Sequence, residues 1–169
     1  MRGDFSLIVD LLNPAYWTLE NLVLLYAGNW TSSMYLFKAF LSVGTLRCFA
    51  HLRVLHIPYN GLLQNQWLAG GYDTTQPSVD SILPRGLEEL HIEQPQTETA
   101  SILDDLDRSA DRLPNLRIVH LLYFVDENER SGFDPDQQFQ GYKFRFSLRF
   151  SISYERCISG SDISSDDEW

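Results

Sequence analysis

Apolar residues fall into four blocks of one spacing along this chain. Leu19, Leu22 and Leu24 open the series, and Leu52, Leu55 and Ile57 repeat it. Leu87, Leu90 and Ile92 follow, then Leu116, Val119 and Leu121. The leading residues of successive blocks lie 33, 35 and 29 positions apart. In each block the last two apolar positions bracket one residue, and side chains alternate between two faces at that period. Each block therefore predicts a short strand, with Leu55 and Ile57, Leu90 and Ile92, and Val119 and Leu121 turned inward. Blocks recurring at a near-constant period predict stacked units, each burying its face only against its neighbours.

Between the blocks the period lengthens. Phe5, Leu7, Ile8, Leu11 and Leu12 predict a short helix capped by Asp4 and closed at Pro14. Met34, Leu36, Phe37, Phe40 and Leu41 predict a helix within 31–46, with capping hydroxyls on Thr31, Ser32 and Ser33 and a stop at Gly44. Residues 62–68 predict one or two helical turns before Gly70 and Gly71, and 74–78 around Pro77 read as a loop. Ile102, Leu103, Leu106 and Ala110 predict an amphipathic helix over 99–113. Asp104, Asp105, Asp107 and Asp111 lie opposite them and read as its solvated face. Residues 126–141 are polar and acidic with Gly132 and Pro135, which predicts an exposed loop.

Beyond that loop the alternation returns. Tyr142, Phe144, Phe146, Leu148, Phe150, Ile152 and Tyr154 alternate with polar residues, predicting a strand or hairpin with one buried face. Lys143, Arg145 and Arg149 make a basic stripe on its other face. It reads as ordinary polar alternation, or as a docking surface for an acidic partner or the chain's own acidic tail. Residues 159–169 are rich in Ser and Asp and read as disordered. The chain thus reads as one α/β repeat domain over 1–158, with units near 16–27, 49–60, 83–95 and 113–124. A strand or hairpin over 142–154 caps the last unit, because an open end exposes core and strand edge. Linking segments must return the chain to the same edge, so the strands run parallel. A chain of 169 residues is long enough to bury about 70% of its unfolded surface.

The second unit, Phe49-x-x-Leu52-x-x-Leu55-x-Ile57-x-x-Asn60, resembles a leucine-rich repeat through its asparagine. Ala27, Pro95 and Phe124 stand at the asparagine position of the other units, a departure from the family pattern. The phrases Phe49-Ala-His-Leu-Arg-Val-Leu, Leu83-Pro-Arg-Gly-Leu-Glu-Glu-Leu and Leu113-Pro-Asn-Leu-Arg-Ile-Val are similar to the degenerate repeats of fungal F-box-type proteins. The resemblance covers about residues 16–124 and implies a short α/β solenoid with parallel strands. It also implies repeats that hold a substrate while a separate F-box recruits a ubiquitin ligase. No F-box is spelled here, and the fifteen residues ahead of the first unit are too few for one. The expectation is a non-enzymatic protein-recognition module, the substrate-binding part of a ubiquitin-ligase adaptor-like protein. Two alternatives stand beside it: a metal- or pH-responsive binding protein built on histidines, and a truncated repeat fragment without independent function.

His56, His91 and His120 occupy the bracketed slot of three units, so each faces outward on the hollow side of the stack. Parallel neighbours lie about 4.8 Å apart, which lets the three rings form a ladder. The histidines read as a polar position copied during duplication, as a contact surface, or as a metal site, the last requiring convergent geometry and supporting partners. Val54, Pro58, Ile118 and Leu122, with Asn21, Val23 and Leu25, make much of the same face apolar, and a large apolar patch marks a partner site. A missing repeat or an N-terminal domain covering it is the rival reading. Glu89 and Glu93 flank His91. The candidate partner-binding set is therefore Val54, His56, Pro58, Glu89, His91, Glu93, Ile118, His120 and Leu122. Stacked imidazoles disfavour joint protonation, while the two glutamates oppose this at His91. Binding on this face is expected to weaken between about pH 7 and 5.5.

The formal charge of −10 argues against nucleic acid and anionic membranes as partners. Cys48 and Cys157 are too few and too far apart for a disulfide framework or a metal motif. No nucleophile elbow, phosphate loop or dinucleotide fingerprint occurs, so no catalytic residue and no cofactor is expected. No basic-then-apolar leader follows Met1 and no apolar run approaches a membrane span, which points to the cytoplasm or nucleus. The glycosylation-like Asn29-Trp30-Thr31 then reads as accidental. Ser164 and Ser165 before Asp166-Asp167-Glu168 resemble acidic-directed kinase sites. Nothing in the sequence fixes the oligomeric state.

Overall fold

The computed structural model describes residues 11–24, 46–62, 78–95, 99–126, 139 and 145–155. Outside them lie the start of the first expected helix, the 31–46 helix up to Gly44, the Gly70-Gly71 break, most of the 126–141 loop, Lys143, Cys157 and the 159–169 tail.

Among the described residues five strands form one sheet in chain order: β1 (Asn21–Val23), β2 (Val54–Pro58), β3 (Glu89–Glu93), β4 (Ile118–Asp126) and β5 (Ser147–Glu155). Every pairing is parallel. Leu22, Leu55, Leu90, Val119 and Leu148 stand level across the sheet, and so do Ile57, Ile92, Leu121 and Phe150. The apolar spacing thus becomes a register, because a slip of one residue would turn every inward side chain to the other face. Leu55, Ile57, Leu90, Ile92 and Val119 are fully buried.

The backbone repeats as faithfully as the side chains. The Glu20 carbonyl accepts the N–H groups of Arg53 and Val54, the Arg53 carbonyl those of Glu88 and Glu89, and the Glu88 carbonyl those of Arg117 and Ile118. Ser147 N–H then donates to the Arg117 carbonyl, which brings β5 into the same series. The expected cap is therefore a fifth parallel rung starting at Ser147. It is a single strand and not a hairpin.

The linking segments close the core from the other side. α1 (Tyr59–Leu62) follows β2 directly and begins three residues before the helical turns expected at 62–68. α2 (Thr99–Arg108) buries Thr99, Ile102, Leu103 and Leu106, as its spacing of three and four requires. It ends five residues short of Leu113, where Ala110 N–H bonds to the Asp107 carbonyl and the last turn tightens. Pro14 sits within a 3-10 turn (Asn13–Ala15), where its fixed φ and missing N–H are tolerated at the first positions. Phe139 is helical and buried, so the expected exposed loop over 126–141 does not hold there. Asp126, its first residue, belongs to β4.

Two features tie neighbouring units together. A Cβ built on Gly86 would lie 2.7 Å from the Ala50 carbonyl oxygen, so the turn before β3 stacks backbone to backbone on the turn before β2. The second is a polar clamp on the approach to β3. Asp80 is 7% exposed and accepts hydrogen bonds from Ser78, from Ser109 (3.3 Å) and from Arg112 (2.9 Å). Asp105 accepts the Val79 N–H at 2.6 Å and the Ser78 hydroxyl at 3.1 Å. The aspartates of α2 are therefore not a uniformly solvated face. Asp105 is half-buried and holds the 3-10 turn Val79–Ser81 against the helix, and Asp107 accepts the Arg145 N–H.

Candidate functional site

The outward positions of the strands form level rows across the sheet. One row reads Asn21, Val54, Glu89, Ile118 and Ser147, and the next reads Val23, His56, His91, His120 and Arg149. Alternation along each strand puts the bracketed residue of every unit on this face. Parallel pairing then stacks those residues into a column. The ring centroids of His56 and His91 lie 5.5 Å apart, and those of His91 and His120 lie 5.2 Å apart, tilted by 41° and 56°. The column is bounded by Val23, which is 54% exposed, and by Arg149, which is exposed.

Sequence spacing brought the three histidines together but assigned their carboxylates differently. Glu89 does sit by His91, its Oε2 3.4 Å from Nε2. Glu93 reaches across to β2 instead, placing Oε1 2.9 Å from Nε2 of His56. That separation is short enough for a hydrogen bond, but among the described residues the ring nitrogen has no aligned hydrogen-bond partner. Burial holds His56 below the ordinary histidine value of 6.5, aided by repulsion from His91 and His120. His120 is also lowered, by burial first, then by His91 and Arg149, with Glu89 opposing. At neutral pH the two outer rings are therefore uncharged, and a neutral imidazole offers one donor and one acceptor.

Burial divides the expected contact set. Val54, His56, Glu89, His91, Ile118, His120 and Leu122 are half-buried and border the face. Pro58 and Glu93 are buried, Glu93 to 3% exposure, so neither is offered to a partner. Sequence reasoning could not see this, because both stand on the outward parity of their strands and only packing covers them. Leu25 lies outside the described residues.

Arg149 is the member of the column that sequence reasoning missed. A signal was present: Leu148-Arg149-Phe150 follows Val119-His120-Leu121 by 29 residues, the distance that separates the third and fourth blocks. The continuous alternation from Tyr142 onward concealed it, since no Leu-x-x-Leu opening marks the fifth unit. Arg145, expected to share a stripe with Arg149, lies ahead of β5 and pairs with Asp111 at 3.3 Å. The two arginines therefore serve different places.

Among the described residues, no group of three or more His, Cys, Asp or Glu is arranged to hold a metal ion. Among them, too, no helix is long and apolar enough to cross a membrane. A groove of about 200 Å³ at the end of α2, lined by Leu106, Leu113, Arg145 and Phe146 among others, is distant in chain order from the column's centre and small for a ligand pocket. The family model described as a leucine-rich repeat domain matches residues 6–134, about three quarters of the chain. No curated protein and no solved structure matches it.

Proposed function

The chain belongs to the leucine-rich repeat domain family, and from that premise we propose that it is a protein-recognition module whose contact face is the outward column. The family supports protein interaction as the general role. The observation that carries the choice of face is the in-register series Val23, His56, His91, His120 and Arg149. An exposed apolar residue stands at one end, a cation at the other, and three imidazoles lie between. Such a row reads a partner by hydrogen bonds along its length, while Val54, Ile118 and Leu122 supply apolar contact beside it.

In its finer form the proposal makes this chain the non-enzymatic substrate-binding part of a ubiquitin-ligase adaptor-like protein of the cytoplasm or nucleus. The similarity of its repeat phrases to fungal F-box-type repeats supports that reading. The partner is a protein held on the column and destined for ubiquitin transfer.

The test is affinity capture with the intact chain as bait beside a variant carrying His56→Ala, His91→Ala, His120→Ala and Leu122→Ala. The intact chain should retain partners that the variant loses, and cullin-ligase components should co-purify with the intact chain. Equal capture by both baits would remove the column as the contact face. Capture without any ligase component would remove the adaptor role while leaving recognition intact.

A further inference from the structure

Among the described residues β1 and β5 are the two edges of the sheet, and they differ sharply. β1 has three residues. β5 has nine and runs without a break, a length of about 30 Å at 3.3 Å per residue. The outer side of an edge strand carries a row of N–H and C=O groups ready to pair with another chain. Natural edges are blunted by proline, by bulges, by brevity or by repelling charges. Ser-Leu-Arg-Phe-Ser-Ile-Ser-Tyr-Glu has neither proline nor glycine, and its two charges are of opposite sign. Arg149 and Glu155 stand three positions to either side of Ile152.

That placement makes the strand complementary to itself when reversed. We propose that two copies of this chain associate by pairing β5 with β5, antiparallel, about a twofold axis through Ile152. In this register Arg149 of each copy stands opposite Glu155 of the other, Phe150 opposite Tyr154, and Ser151 opposite Ser153. Directly opposed residues in an antiparallel pair share a face. Positions 149 and 155 therefore fall on the outward parity, and positions 150 and 154 on the parity that continues the rows of the core. An axis through Ser151 would instead oppose Arg149 to Ser153, and an axis through Phe150 would oppose it to Ser151. The axis through Ile152 is thus the one that joins the opposite charges. Arg149 is exposed and enters no ion pair among the described residues, so its charge is available for this purpose. The interface is isologous, and it merges the two five-stranded sheets into one.

The experiment is sedimentation velocity on the full chain over a concentration series at low and high salt. The unmodified chain should reach twice its 19.5 kDa mass, and added salt should weaken the association. Arg149→Glu alone and Glu155→Arg alone should each raise the dimer dissociation constant about tenfold or more, because each turns two attractive pairs into two repulsive ones. Mixing these two variants should restore the doubled mass, since the paired glutamates of one chain then meet the paired arginines of the other. Rescue on mixing also establishes that both variants fold. A chain that stays monomeric at every concentration would overturn the proposal. A dimer indifferent to either reversal, or variants that fail to rescue one another, would do the same and place association elsewhere.

Discussion

Leu90→Ala tests whether the strands are neighbouring rungs of one stack. Leu90 lies on the central strand, is fully buried, and is level with Leu55 and Val119, which are also fully buried. Truncation removes the apolar contribution of the lost carbons and leaves a cavity, and for Leu→Ala the two together cost about 2–5 kcal/mol. The cost should fall in the upper half of that range, about 3.5 kcal/mol, because strands on both sides are fixed in register and cannot collapse inward. Against a domain stability of about 5–15 kcal/mol this is severe but survivable. With a urea slope of about 2 kcal/mol per molar, the unfolding midpoint should drop by about 1.7 M, measured by circular dichroism. Val23→Ala, on the same sheet but 54% exposed, is the control and should change stability by no more than about 0.5 kcal/mol. Combining Leu55→Ala with Leu90→Ala should depart from additivity by about 0.5 kcal/mol or more, because the two side chains share one layer. A Leu90→Ala loss below about 1 kcal/mol, or strict additivity with Leu55→Ala, would refute adjacent rungs as the source of stability.

Gly86→Ala should destabilise by about 1–3 kcal/mol, read by the same urea titration, since its Cβ would strike the Ala50 carbonyl 2.7 Å away. Asp80→Ala should cost about 1–3 kcal/mol by removing the carboxylate acceptor of the buried Ser109 hydroxyl and the partner of Arg112, while Ser78 keeps Asp105. The Arg112 and Ser78 hydrogen bonds hold the Asp80 carboxyl below its ordinary 3.8, so its stabilisation is full above that pH and is lost as pH falls through the lower folded value. Acid unfolding of the parent should therefore include a step below about pH 3.8 that Asp80→Asn lacks. By proton NMR, His56 and His120 should titrate below 6.5, and the folded state should lose stability as pH drops from 6.5 through those midpoints, because the unfolded chain binds the protons more readily. A partner held on the column should accordingly bind more weakly at about pH 5.5 than at 7. An isotherm unchanged across that interval removes the histidines from the contact.

Much of this architecture was legible in the spacing of a few leucines. Inward pairs such as Leu55 with Ile57 and Leu90 with Ile92 are written by the alternation of a strand, and Ile102, Leu103 and Leu106 by the turn of a helix. Both periods are properties of the local backbone, so a single segment suffices to read them. The slot shared by His56, His91 and His120 follows from the same alternation once the units stack. The fifth rung was hidden because Leu148-Arg149-Phe150 sits in an unbroken alternating run, where no boundary marks the unit.

By itself the sequence determined which residues face inward and that the units repeat, because those depend on backbone geometry within a few residues of each position. Tertiary structure decided what each outward residue meets. Packing buried Pro58 and Glu93, sent the Glu93 carboxylate to His56 across the strand boundary, joined Asp80 to Arg112 through a turn and a helix end, and set Arg149 beside His120. Those outcomes are contacts between residues far apart in the chain. They are fixed by how linking segments close and what they cover, which no local period encodes.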